Sequence, residues 1–275
     1  MHRSLVAFIL TLGVAQASGA VTITASASAG LQGNPTTVVG GPATSGQVSA
    51  AVAIPLPFRN LAASSALDVD GNAALNLNGL YWTAGEPHLA GSNFPQVTDA
   101  ATTWTSTLTN DSAVPRPYVY AFVLSPFRLA NFDNGLPATD PLANIVSFAV
   151  EVRANGNLVF QSSAQLRGAR NPVLTETGTD LGGVFGSNEF EVFYDFSQHT
   201  GRIPLGSVAP GESITVEAKL IAHAEAMFDG SGGFVTMGDP LDLKGDPGVS
   251  AVTFGEDQTV GVAPVSWAAA KRLYR

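Results

Sequence analysis

The sequence predicts an all-β fold, an antiparallel β-sandwich of jelly-roll-like form in a single domain. Short segments throughout the chain alternate apolar and polar residues with a period of two, which puts the apolar groups on one face of a strand. Charged residues make up only 13% of the 275, while Gly, Pro, Ser, Thr, Asn and Ala are plentiful. That mixture suits strands and turns and lacks the Glu/Lys/Arg/Leu-rich blocks that helices favour. The length is within what one sandwich core fills.

In order along the chain, Val21, Ile23, Ala25, Ala27 and Ala29 alternate with Thr22, Thr24, Ser26 and Ser28, the pattern of a first strand. Residues 30–46, rich in Gly, Pro, Thr and Asn, read as a long loop. Val48, Ala50, Val52 and Ile54 restart the alternation until Pro55 and Pro57. Leu75 and Leu77 alternate with Asn76 and Asn78 into Leu80, Tyr81 and Trp82. Thr103, Thr105, Thr107 and Thr109 oppose Trp104, Ser106 and Leu108. Residues 118–124 are apolar on both faces, as a central strand requires.

Val146, Phe148, Val150 and Val152, followed by Asn155-Gly156 and Leu158-Val159-Phe160, predict a hairpin, because both turn residues tolerate positive φ. Residues 190–196 give another strand, and Pro210-Gly211 predicts a second hairpin turn. Ile214, Val216, Ala218, Leu220, Ala222, Ala224 and Ala226 then form one face of a long strand. Residues 234–237 and 249–254 close the sheets. No fixed-period repeat is evident.

Ahead of these strands, residues 1–20 have the order of a secretory signal peptide: His2 and Arg3, an apolar run over residues 5–15, then Ala15-Gln16-Ala17 and Ser18-Gly19-Ala20. The run is too short to span a bilayer. Residues 21–254 are the expected sandwich domain. The net charge is −9, and loss of Arg3 with the signal makes it −10. That acidic field repels nucleic acid and anionic membranes. Cysteine is absent, so packing alone must stabilise the exported domain.

Residues 255–275 form a tail in which Pro264-Val265-Ser266-Trp267-Ala268-Ala269-Ala270 is closed by Lys271, Arg272 and Arg275. This order resembles a PEP-CTERM sorting signal in degenerate or truncated form. Val262-Ala263-Pro264-Val265 stands where that signal has a Glu between prolines, and the apolar stretch is too short for a membrane span. Proteins of that family are similar in their low charge, their scarcity of cysteine and a stretch like Gly232-Gly233-Phe234 through Gly238-Asp239-Pro240. The resemblance implies export from a Gram-negative cell to the surface or the extracellular polymer matrix, and it implies no enzymatic activity.

Several residue groups are candidates for chemistry. Asp68, Asp70, Asn72 and Asn76 place oxygen ligands at alternate positions, as Ca²⁺ needs, although Ala73 and Gly79 replace the Gly and bidentate Glu of an EF-hand loop. A solvated Asx turn explains the same residues. Asp229, Asp239, Asp242 and Asp246 read as loop caps or calcium ligands. Glu189, Glu191 and Asp195 share one side of a strand, where a sandwich glycosidase presents its carboxylates; a half-buried strand showing its charges to water explains them more simply. His88, His199 and His223 form no metal-ligand pair, and His223 reads as exposed. Tyr81, Trp82 and Trp104 suit either a sugar-stacking platform or the core.

The expectation is therefore a secreted, cell-surface or periplasmic β-sandwich without catalytic residues, serving the extracellular matrix, with polysaccharide or itself as partner. A carbohydrate-binding or glycoside-hydrolysing protein is one alternative. A fibre subunit donating residues 21–29 to a neighbour's sheet is another.

Overall fold

The computed structural model describes residues 19–31, 33–56, 59–81, 96–133, 144–168, 172–189, 191–226 and 231–257. The signal-like residues 1–18, Trp82, His88, Asp229 and the sorting-signal motif lie outside them. The strands are β1 (Ala20–Leu31), β2 (Asn34–Ala43), β3 (Gln47–Leu56), β4 (Arg59–Asp68), β5 (Ala73–Tyr81), β6 (Gln96–Thr109), β7 (Arg116–Leu124), β8 (Phe127–Asp133) and β9 (Ile145–Ala154). They continue as β10 (Asn157–Arg167), β11 (Val173–Gly178), β12 (Val184–Ser187), β13 (Glu191–Phe196), β14 (His199–Val208), β15 (Ser213–Ala226), β16 (Ser231–Met237) and β17 (Val249–Glu256). No helix occurs among the described residues, so none there is long and apolar enough to cross a membrane.

Two antiparallel sheets pack face to face. The seven-stranded sheet runs β11-β10-β9-β15-β6-β1-β2. The ten-stranded sheet runs β12-β13-β8-β16-β5-β17-β7-β14, with β4 and then β3 added beside β5. The chain crosses between them repeatedly, giving the predicted antiparallel β-sandwich. Alternation along β6 and β9 buries every second residue, as the sequence pattern requires.

The core changes character across the sandwich. At one end Phe127 stacks on Phe196 with ring centroids 4.1 Å apart and meets Phe148 at 4.4 Å. Trp104, Tyr120 and Phe122 extend this aromatic filling. At the other end Ala25, Ala27, Ala29, Ala50 and Ala63 line the interior. These short side chains bring the sheets so close that Ser65 Oγ of β4 donates to Ser26 O of β1 at 2.9 Å.

The Asn155-Gly156 hairpin forms as predicted, with φ of 48° and 79° at its two turn residues. Pro210-Gly211 behaves differently. The turn exists, with Glu212 N–H donating to Ala209 O at 3.0 Å and Gly211 at φ 76°. It is no hairpin, because β14 pairs with β7 in one sheet and β15 with β6 and β9 in the other. Asn110 clamps this crossing: its Nδ2 donates to Val208 O, and its backbone bonds both Gly211 and Glu212.

The predicted loop over residues 30–46 contains strand β2. Its Pro35 and Pro42 argued against a strand, but among the described residues β2 is paired only to β1, and an edge strand tolerates missing N–H donors. The same order bears on where the first strand sits. β1 is paired with β2 on one side and β6 on the other, so residues 21–29 are an interior strand of the sheet in this chain.

Candidate functional site

The outer face of the seven-stranded sheet gathers most of the polar chemistry. On β1 the outward residues are Thr22, Thr24, Ser26 and Ser28, and the register sets them opposite Thr105, Thr103, Ala101 and Asp99 of β6. Beyond β6, β15 sets Thr215 against Thr107 and Ser213 against Thr109, each pair joined by a 2.8 Å hydroxyl–hydroxyl bond. Side chains on one face recur about every 6.8 Å along a strand and about 4.8 Å between strands. The result is a patch of half-exposed hydroxyls on β1 and β6, bordered on β15 by Glu217 opposite Thr105 and Lys219 opposite Thr103.

At one end of this patch a chain of polar groups crosses three strands. Ser28 Oγ donates to Asp99 Oδ2 at 3.0 Å, and His223 Nδ1 lies 2.7 Å from Asp99 Oδ1. His223 Nε2 is 3.8 Å from Glu225 Oε2. Burial opposes the charge on Asp99, yet the bond and charge of His223 and the Ser28 hydroxyl outweigh it and hold the carboxyl below its ordinary range. The Asp99 hydrogen bond in turn raises His223 against the opposing effect of burial. His223 is thus a half-buried, partnered residue rather than the exposed one expected. The carboxylate stands between serine and imidazole, the reverse of the order in which an imidazole takes a serine proton.

On the ten-stranded sheet Arg128 of β8 grips Asp195 through two bonds, Nε to Oδ1 at 2.6 Å and Nη2 to Oδ2 at 2.8 Å. Its Nη1 reaches Glu191 Oε1 at 3.2 Å, and its guanidinium carbon lies 4.3 Å from the centroid of the Phe193 ring. Glu191 and Asp195 do converge, as their shared strand face predicts, but onto a cation that ties them to the fold. Glu189 is exposed.

The turn from β4 to β5 uses Asp68 as its closure. Asn72 donates its backbone N–H to Asp68 Oδ1 at 3.0 Å and its Nδ2 to Oδ2 at 2.9 Å. Asp70 is exposed. Asn76 pairs with Ser64, four ladder positions from Asp68 or about 13 Å by strand rise, too far to share one ion with it. Asp239 Oδ1 accepts Leu241 N–H at 2.8 Å, the predicted capping role, in a loop closed by the Gly238–Pro247 bridge. Among the described residues no three His, Cys, Asp or Glu side chains are grouped to hold a metal. Trp104 is buried in the core and donates its Nε1 to Val69 O at 3.1 Å, which removes it from any surface platform.

Sequence spacing did not reveal the Ser28–Asp99–His223 row, whose members are 71 and 124 residues apart. The alternation that puts His223 and Glu225 on one face was its only signal.

No protein-family model and no curated protein matches the chain. Among solved structures, that of infectious bursal disease virus Gx strain aligns over 94% of this chain and 73% of its own, at 10% identity and a TM-score of 0.15. Superposition that loose relates neither fold nor function.

Proposed function

We propose that the chain is an exported, non-enzymatic β-sandwich of the extracellular matrix or cell surface, which meets neutral polysaccharide through the outer face of its seven-stranded sheet. The observation that carries this is the hydroxyl patch of β1 and β6, where Thr22, Thr24 and Ser26 lie beside Thr103 and Thr105, with Asp99 the one charge on these two strands and the opposite charges Glu217 and Lys219 of β15 along its border. Each hydroxyl both donates and accepts, as the hydroxyls of a glycan chain do. Regular spacing lets a flat polymer engage many at once, each weakly.

Export is supported by the cationic, apolar and small-residue order of residues 1–20, and a surface destination by the tail with Pro264, Trp267, Lys271 and Arg272. The Arg128 grip on Asp195 and Glu191 favours a structural role for those carboxylates over the acid and nucleophile of a glycosidase.

The test pairs cell fractionation with co-sedimentation on a panel of insoluble neutral polysaccharides. The expected result is an extracellular or surface protein that sediments with at least one polymer and is released by the double substitution Thr24→Glu and Thr103→Glu. A protein retained in the cytoplasm, or one that binds no polymer, would overturn the proposal.

A further inference from the structure

Among the described residues, the border of the sandwich formed by β2 and β3 carries no charge. Between Arg3 and Arg59 the sequence contains no Asp, Glu, Lys, Arg or His. Those residues supply β1 and both strands at this border: β2 ends the seven-stranded sheet and β3 ends the strands added to the other. The two lie against each other, since a Cβ on Gly40 of β2 would stand 2.3 Å from Ser49 O of β3. In a chain of net charge −9, two strands that are sheet edges among the described residues are thus neutral. Edge strands are ordinarily protected by Lys or other charges, and these are not.

We infer that this border is a self-association surface, on which β2 pairs antiparallel with β2 of a second copy. Charge selects the occupant. Copies of an acidic protein repel one another over most of their surface, and contact is least opposed where ionisable groups are missing. The other edges of the two sheets differ: β11 carries Glu176, β14 carries Arg202, and β12 has only four residues.

Geometry fixes the register. Opposite residues of an antiparallel pair share a face, so the two-fold axis must run perpendicular to the sheet and through a residue. Val39 is the residue that fits. It points to the outer face with its neighbour Ser26 and is 63% exposed, while Val38 is 38% exposed. Centring on Val39 sets it against its own copy and places Val38 opposite Gly40, within the regular ladder of residues 34–40, and leaves Pro35 and the bulge at Gly41-Pro42 outside these central pairs. The seven-stranded sheet then runs unbroken through two molecules. This inference does not depend on polysaccharide binding.

The test is light scattering and sedimentation of the chain as recovered from the producing cell, with Val39→Lys, Val39→Glu and their equimolar mixture. The wild type is expected to dimerise. Each single variant, with an unchanged circular dichroism spectrum because Val39 is exposed, is expected to dissociate about tenfold or more readily through like charges set face to face. Mixing the two is expected to restore the dimer. A wild type that stays monomeric at about 100 μM would overturn the inference. So would variants that dimerise as well as the wild type, or a mixture that stays monomeric.

Discussion

His223 and Asp99 make the stability of the sandwich depend on pH in a direction that can be worked out. Asp99 is held below its ordinary value of 3.8, because its bond to His223 and the Ser28 hydroxyl outweigh the cost of burial. A lowered carboxylate contributes stability above its unfolded value and loses it as pH falls through the folded one. His223 is held above 6.5 by the same Asp99 bond. A raised imidazole contributes fully below its unfolded value and loses that contribution as pH rises through the folded one. The pair is therefore worth most between pH 3.8 and 6.5.

The size of the effect follows from exposure. The side chains are 30% and 45% exposed, so solvent screens the 2.7 Å contact and places it at the upper end of surface pairs, about 1 kcal/mol. The assay is a double-mutant cycle of His223→Gln and Asp99→Asn, read by urea denaturation at about pH 5 and about pH 9. A coupling of about 1 kcal/mol is expected at the acidic pH, shrinking at the alkaline one. Equal coupling at both pH values, or stronger coupling at the alkaline one, would refute the assignment.

Three other substitutions probe the packing that supports the site. Asn131 is fully buried and its Nδ2 bridges Asn144 O at 3.1 Å and Leu166 O at 2.9 Å, so Asn131→Leu should cost about 2 kcal/mol or more in urea denaturation. Gly233→Ala would put a methyl 2.2 Å from Val146 Cγ1; a loss of about 1–3 kcal/mol is expected, partly recovered in the double variant with Val146→Ala. Asp68→Ala should lower stability by about 1–2 kcal/mol by opening the β4–β5 turn. Because Asn72 already occupies both Asp68 oxygens, calcium should leave the Tm of the wild type unchanged; a calcium-dependent rise abolished by Asp68→Ala would show the turn to be an ion site.

Strands with strict alternation, such as β1, β6, β9 and β15, were legible because their period reports burial on one face directly. The Asn155-Gly156 hairpin was legible because its turn chemistry is local. β2 was hidden by its prolines and glycines, which read as loop until pairing on a single side makes them tolerable. β4, β8, β11 and β12 also went unread; β11 and β12 are short and largely exposed, with little burial to print a period. Pro210-Gly211 named a turn without naming which sheet each neighbouring strand would join. The polar row was the least legible feature, since Ser28, Asp99 and His223 become neighbours only through the order β1-β6-β15.

The alanine-lined end of the core has a kinetic consequence. Ala25, Ala27, Ala50 and Ala63 contribute few buried methylene groups, while ordering their backbone costs as much as anywhere else in the chain. The molecule is therefore unevenly fastened. Around Phe127, Phe148 and Phe196 opening is expected only with global unfolding, whereas the seam between β1 and β4 is expected to yield in smaller excursions that amide exchange would detect first. That looser seam lies beside the neutral border. A second molecule seated on β2 would brace it from outside, so that dense packing of copies protects the part of each that its own core secures least.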